Sequence, residues 1–235
     1  MSDPTNSIIQ EHVRGLSFVD VGGLWGSLNE RVTVALEAGC SEATMLDYQM
    51  PDSHWWASFH ERANQCGWAG RYASVTANLD DPDLLEKVGC FDFVHCNGII
   101  YHAPSPFHTL MQLRTLTRRF LLLGSMTVPE TVVGSSGSID MSDGAAYFIP
   151  ALRDKNLQIF REHFTSLDVS VHCVVSEEHH PWLFKLGEPN YAPWWWFWTA
   201  HTLSRMAEAA GFRLLRIEEA WPLRSHVMLL EAIDV

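Results

Sequence analysis

The sequence predicts a doubly wound α/β sheet of seven strands, and three observations support that prediction. Apolar strand-like runs alternate with helical patterns through residues 16–128. These runs are apolar throughout rather than alternating with polar residues, which is typical of a parallel sheet covered on both faces. Two further strand-like runs close the chain, with only three residues between them.

The first half of the chain contains five strand-like runs separated by four helical patterns. The runs lie at 16–21, 43–48, 72–77, 91–100 and 119–128, and the helical patterns at 27–39, 52–67, 81–89 and 106–117. We expect Ser27 to cap the first helix and Gly39 to follow its end. Right-handed crossovers between successive parallel strands then give a Rossmann-like sheet.

The alternation stops at Pro129, and residues 129–198 are predicted to form an insert between the fifth strand and the last helix. The insert begins with small polar residues of loop character. A helix is predicted at 150–167 and a strand at 169–175, before an aromatic run, "PWWWFW", at 193–198. Long segments between sheet elements usually form lids or recognition elements. We therefore expect one domain, residues 1–235, with a ligand-binding lid inside it.

The end of the chain is the most diagnostic part of the predicted fold. A helix at 199–211 precedes strands at 212–221 and 225–233. A parallel pair of strands needs a crossover of about a dozen residues or more, so these two strands must be antiparallel neighbours.

Composition limits the classes of partner. The 235 residues carry a net charge of -12 and contain no run of lysine or arginine, which disfavours binding to nucleic acid or to an anionic membrane surface. The five cysteines are odd in number and lack a CxxC pair, which favours reduced thiols. The polar N-terminus and the lack of a long apolar run predict a cytoplasmic protein without a signal peptide or membrane span.

A glycine-rich turn follows the first strand in the sequence "DVGGLWG", residues 20–26. Ligands of doubly wound sheets bind at the carboxyl ends of the strands. The spacing of these glycines is not the GxGxxG of dinucleotide sites, and Asp20 suits a cationic group better than a pyrophosphate. Asp47 ends the second strand, where a carboxylate commonly binds ribose. These features favour a nucleoside with a cationic arm, such as S-adenosylmethionine.

The chain resembles the class I S-adenosylmethionine-dependent methyltransferases. "FVDVGGLWG" is similar to their first motif, (D/E)xGxGxG, with Leu24 in place of the middle glycine, "MLDY" is similar to their acidic motif, and "AAGF" at 209–212 to their C-terminal signature. The resemblance covers residues 15–128 and 196–235. It implies that the methionine arm contacts Gly22, Gly23 and Gly26, next to Asp20, and that Asp47 binds the ribose. It also implies that Asn78 and Leu79 flank the adenine, and that Cys96, Asn97 and Gly98 lie beside the cofactor after the fourth strand.

The acceptor side of the site is predicted from the loop after the fourth strand and from the aromatic run. His102 lies in that loop and is the candidate general base, whereas His95 is expected to be a packed strand residue and His108 a surface one. Tyr101, Trp194, Trp195 and Trp196 are the candidate substrate contacts. The pair His179–His180 lacks the spacing of a metal site, so no metal is expected.

The sequence thus predicts a methyltransferase acting on a small molecule, with O-methylation by in-line transfer as the favoured reaction and a homodimer as a possible assembly. Two alternatives stay open. "IIYHAPSP" and "YFIP" are similar to enzymes that alkylate the wobble uridine of tRNA with a carboxylated S-adenosylmethionine. Leu24, in turn, is consistent with a catalytically inactive binding subunit of the same fold.

Overall fold

The computed structural model of the chain describes residues 4–25, 29–169, 171, 174 and 194–233. A seven-stranded sheet forms the centre of the molecule. Its strands are β1 (Ser17–Val21), β2 (Glu42–Asp47), β3 (Ala73–Thr76), β4 (Phe91–Asn97), β5 (Thr117–Met126), β10 (Phe212–Trp221) and β11 (Ser225–Ala232). The strand order is β10-β11-β5-β4-β1-β2-β3.

The pairing of the strands confirms the predicted topology. β1 pairs in parallel with β2 on one side and with β4 on the other, so the direction in which successive strands are added reverses there. β11 runs antiparallel to both β5 and β10. A mainly parallel sheet therefore ends in an antiparallel hairpin, as the short connection between these two strands requires.

Helices cover both faces of the sheet. The helices are α1 (Pro4–His12), α2 (Val32–Glu37), α3 (His54–Gln65), α4 (Leu84–Val88), α5 (Pro106–Leu116), α6 (Asp154–Ser166) and α7 (Ala200–Ala209). Apolar side chains of α1, α2 and α3 pack on one face around Phe18 and Phe93. Those of α4, α5 and α7 pack on the other face around Val94 and Leu121.

The insert has a small core of its own. It contains a hairpin of β6 (Thr131–Gly134) and β7 (Gly137–Asp140), helix α6, and the paired strands β8 (Ala146–Phe148) and β9 (Trp196–Trp198). Phe160 and Phe164 of α6 pack against Phe197 of β9. The described part of the insert thus forms a packed unit that follows the end of β5.

The predicted elements outside the insert agree with the structure within about three residues, apart from the helix at 27–39. That helix begins at Val32, because the Glu30 carboxylate accepts the Thr33 N–H at 3.0 Å and so occupies the helix start. Ser27, the predicted cap, lies outside the described residues.

Three further expectations concern the insert, and one of them falls mostly on residues that the structure does not describe. The polar stretch after Pro129, predicted as loop, contains the β6–β7 hairpin, in which Val132 and Ile139 turn inward while small residues form the bend. The helix predicted from residue 150 begins at Asp154, because a 3-10 turn at Ile149–Ala151 precedes it. The strand predicted at 169–175 falls mostly outside the described residues.

Two other features complete the fold. Helix α1 was not predicted; Pro4 opens it, and Ile8 and Ile9 are fully buried. Within the described part of the chain, no helix is long and apolar enough to span a membrane.

Candidate functional site

The candidate site lies where β1, β2 and β4 end at the same edge of the sheet. β1 is hydrogen-bonded between the other two strands, so the loops that follow all three strands converge. This is the reversal point of the strand order, which is the usual ligand position in doubly wound sheets.

The turn after β1 is built on two glycines that allow close approach of other groups. Gly22 has φ +72° and donates its N–H to Leu46 O at 2.7 Å. A Cβ on Gly22 would overlap the side chain of Ile99, and a Cβ on Gly23 would overlap the carboxylate of Asp20. The turn therefore packs tightly against the loop after β4. Gly26, the third predicted glycine, lies outside the described residues.

The carboxylate of Asp20 is held inside the protein. Asp20 is fully buried; its Oδ2 accepts the Arg31 N–H at 2.6 Å and its Oδ1 lies 2.7 Å from Nδ1 of His95, which is also buried. The sequence assigned Asp20 to a cationic ligand and His95 to simple packing. In the structure the two form a buried pair that joins β1, β4 and the start of α2.

Asp47 lies at the end of β2, beside the same turn. Its Oδ1 accepts the Gln49 N–H at 3.0 Å and its Oδ2 accepts the Leu24 N–H at 3.3 Å. Burial raises the pKa of the Asp47 carboxyl, and the two backbone hydrogen bonds oppose that shift. A carboxylate with two oxygens at the carboxyl end of this strand is suited to accept hydrogen bonds from a pair of hydroxyl groups.

Leu24 stands where the related motif has glycine, and it and the next residue, Trp25, fix the turn by different contacts. The side chain is 2% exposed and packs in the core with Phe18 and Trp56. The next residue, Trp25, is exposed and stacks on Trp55 with ring centres 5.1 Å apart. The turn is thus fixed by core packing on one side and by an aromatic pair on the other.

The other predicted cofactor contacts occupy different environments. Asn78 is exposed after β3 and accepts the Asp80 N–H at 3.0 Å, while Leu79 is buried. The Cys96 side chain lies in the core, where burial raises the pKa of its thiol, so only its backbone is left for a ligand. Asn97 and Gly98 follow at the strand end, with the Asn97 side chain over Gly124.

Three predicted acceptor residues meet in one aromatic cluster. Tyr101 and His102 lie in a 3-10 turn, Ile100–His102, and the Tyr101 ring centre is 4.2 Å from that of His102 and 4.7 Å from that of Trp194. The Tyr101 hydroxyl lies 3.7 Å from the position of a Cβ on Gly98. The candidate base and two candidate substrate contacts therefore adjoin the end of β4.

The remaining tryptophans of the run point elsewhere. Trp195 is buried and stacks on Phe148, and its backbone N–H donates to the Tyr101 carbonyl oxygen at 2.9 Å. Trp196 donates its indole N–H to Pro104 O at 3.4 Å. The run is thus divided, because Trp194 joins the aromatic cluster whereas Trp195 and Trp196 pack on Phe148 of the insert.

Sequence reasoning missed two contacts and the metal prediction stays untested. His95 and Asp20 are aligned in register on neighbouring strands, which parallel pairing of β1 with β4 would have indicated. The close approach of Ile99 to Gly22 could not be predicted from sequence, because it depends on the path of the loop after β4. Among the described residues no cluster of His, Cys, Asp or Glu is arranged to hold a metal ion, and His179–His180 lie outside them.

Sequence comparisons do not assign the chain to a group. No protein-family model matches it. No curated protein sequence matches it significantly either.

Solved structures, in contrast, match nearly the whole chain. Magnesium protoporphyrin IX methyltransferase from Synechocystis PCC 6803, with bound S-adenosylmethionine, is 13% identical, with 98% of this chain and 77% of that chain covered and a TM-score of 0.55. An N1-methyltransferase of 1,6-didemethyltoxoflavin from Burkholderia thailandensis is 17% identical, with 98% and 77% covered and a TM-score of 0.58.

A third match has a different activity. The cyclase SpnF is 11% identical, with 98% of this chain and 81% of that chain covered and a TM-score of 0.56. One fold can host several chemistries, so function has to be argued from the site. The strand order and these matches together show that the chain has the fold of the class I S-adenosylmethionine-dependent methyltransferases.

Proposed function

We propose that the protein is an S-adenosylmethionine-dependent methyltransferase that acts on a small molecule, with transfer to oxygen as the favoured reaction. The observation that carries the proposal is the position of Asp47. Its buried carboxylate ends β2 and is hydrogen-bonded to the turn after β1, at the reversal point of a sheet with the methyltransferase strand order.

The residues at this edge fit the cofactor. Asp47 would hold the ribose hydroxyls, and Asn78 and Leu79 would flank the adenine. The backbone at Gly22 and Gly23 would lie along the methionine arm, and Gly98 would lie beside the cofactor at the end of β4. Asp20 would act through the turn rather than by direct contact, because its side chain is fully buried against the Arg31 N–H and the His95 ring. When bound, S-adenosylmethionine supplies a methyl group on a positively charged sulfonium sulfur.

The protein's own contribution would be alignment, exclusion of water and removal of one proton. The aromatic cluster of Tyr101, His102 and Trp194 would cover the acceptor beside the end of β4. A hydroxyl acceptor must lose its proton, and the His102 imidazole is the candidate general base in this cluster.

Calorimetric binding of S-adenosylmethionine and S-adenosylhomocysteine tests the proposal. We expect micromolar binding, and we expect Asp47→Ala to weaken it about tenfold or more, roughly 1.4 kcal/mol. Asp140→Ala is the matched control, because Asp140 is an exposed aspartate in the insert hairpin and its loss should leave affinity unchanged.

Other outcomes would favour the alternatives. Binding of carboxy-S-adenosylmethionine without binding of S-adenosylmethionine would favour the tRNA-modifying activity, against which the net charge of -12 argues. Absence of binding to all three compounds would contradict the methyltransferase function and favour a non-catalytic binding subunit.

A further inference from the structure

An apolar cleft of about 380 Å³ opens beside the aromatic cluster. It lies between the start of α5, the β8–β9 pair of the insert and helix α7. The lining residues are Pro104, Ser105, Pro106, Phe107, His108, Ala146, Trp196, Trp198 and Met206. Its volume is at the lower end of the range for small-molecule sites, about 300–1,000 Å³.

The chemistry of the lining selects against charged ligands. No Asp, Glu, Lys or Arg is among the described residues that line the cleft. The indole N–H of Trp198 is already used by Ser125 Oγ at 3.2 Å and Met126 O at 3.1 Å. The side chains of Ser105 and His108 are therefore the main polar groups left for a ligand.

Flat apolar surfaces dominate the cleft. The hydrogen bond to Pro104 O holds the Trp196 ring in place as one wall, and Phe148 packs against that ring with centres 5.1 Å apart. Phe107 is 45% exposed, although it is a large apolar residue at the start of a helix. Aromatic rings and prolines favour stacking with a planar ligand over binding of a globular aliphatic one.

The same two chain segments form the cleft and the aromatic cluster. Residues 100–108 provide Tyr101 and His102 to the cluster and then line the cleft from Pro104 onward. Residues 194–198 provide Trp194 to the cluster and Trp196 to the cleft. The cleft and the candidate base are therefore formed by the same two segments of the chain.

We propose that this cleft binds the acceptor, and that the acceptor is a neutral, planar aromatic molecule with a hydroxyl group. The proposal rests on the methyltransferase function and names its substrate class. The aromatic body would lie between Trp196 and Phe107, with the hydroxyl directed toward His102.

Calorimetry with three naphthalene derivatives tests each property of the proposed ligand. We expect 2-naphthol to bind about tenfold or more tightly than decahydro-2-naphthol, which has the hydroxyl but is not planar, and than naphthalene-2-sulfonate, which is charged. Phe107→Ser and Trp196→Ala should each weaken 2-naphthol binding about tenfold. Leu215→Ser is the matched control, since Leu215 is also 45% exposed but lies on β10.

Parallel titration with S-adenosylhomocysteine separates failure of this proposal from failure of the methyltransferase function. Two results would overturn the proposed acceptor class alone. One is cofactor binding without 2-naphthol binding, and the other is an affinity for 2-naphthol that Phe107→Ser leaves unchanged. Binding of 2-naphthol without any cofactor binding would overturn its role as acceptor. A wild-type dimer that Phe107→Ser converts to a monomer, by sedimentation, would show that a second copy covers the cleft and would also overturn the proposal.

Discussion

At the scale of single residues, the buried pair of Asp20 and His95 is the main unexpected feature. A fully buried carboxylate is costly unless it is paired. His95 provides that partner, and the remaining oxygen holds the Arg31 N–H. The pair therefore couples two central strands to the turn that would carry the cofactor.

Replacement of His95 tests this coupling. His95→Leu leaves the Asp20 carboxylate buried without its side-chain partner, and we expect a loss of about 3 kcal/mol in the free energy of unfolding. His95→Asn keeps an N–H donor near the position of Nδ1 and should recover part of that loss. Urea denaturation measures both, and amide hydrogen exchange should show faster exchange at Arg31 in His95→Leu.

His60 offers the control for this experiment. His60 is also hydrogen-bonded, with 2.7 Å between its Nδ1 and the Tyr72 hydroxyl oxygen, but it is exposed. His60→Leu should change stability by about 0.5 kcal/mol or less. Equal effects of His60→Leu and His95→Leu would contradict a special role for the buried pair.

At the scale of elements, the turn after β1 combines a left-handed backbone conformation at Gly22 with close packing. Gly22 and Gly15 share a φ of +72°, but only Gly22 has atoms within 4 Å of the position of a Cβ. This difference makes the two glycines a natural comparison. One position reports backbone strain alone, and the other reports strain together with the contact to Ile99.

Alanine at these two glycines should separate the two costs. Gly15→Ala should destabilise the protein by about 1–2 kcal/mol through its positive φ. Gly22→Ala should cost more, because its Cβ overlaps the Ile99 side chain. In an Ile99→Ala background the additional loss in the free energy of unfolding should disappear. A double-mutant cycle from urea denaturation measures this, and an unchanged loss would contradict the contact between Gly22 and Ile99.

The elements also show which parts of the fold follow from sequence. The antiparallel order of β10 and β11 was predictable, because three residues cannot cross a sheet. The start of α2 was not, because Glu30 occupies a helix start that local signals had assigned to Ser27. The β6–β7 hairpin was also missed, because its inward residues, Val132 and Ile139, become apparent only when α6 packs on them.

The site followed the same rule. The places of Asp47, Gly22 and Gly23 at the ends of strands were predictable, because the fold class determines them, and their contact with a cofactor stays a prediction. The Asp20–His95 pair needed the register between β1 and β4, and the cleft needed the path of the insert over α5. Long-range packing of this kind leaves no local signal in one sequence.

At the scale of the whole molecule, stability should depend on pH through histidines that folding buries. Burial lowers the pKa of His163 in α6 and of His226 in β11. The unfolded chain then binds more protons than the folded one below the ordinary histidine pKa, about 6.5. Their contribution to stability is present above that pH and is lost as the pH falls below it.

Denaturation by urea at pH 7.5 and pH 5.5 checks this expectation. The free energy of unfolding should be lower at pH 5.5. His163→Gln should reduce the difference between the two pH values, because it removes one of the titrating groups. His201→Gln is the control, since His201 is exposed on α7, and this variant should leave the difference unchanged. A wild-type protein that is equally stable at both pH values would contradict the prediction.

The position of Leu24 has a consequence for consensus design. An engineer who aligned this chain with its fold relatives would replace Leu24 by glycine first, to restore the motif. That change would remove a side chain that is 2% exposed from the core beneath the turn, while the N–H that Asp47 accepts is common to both residues. The glycine of the motif is therefore a poor guide to stabilisation at this position, because here the Leu24 side chain anchors the loop in the core.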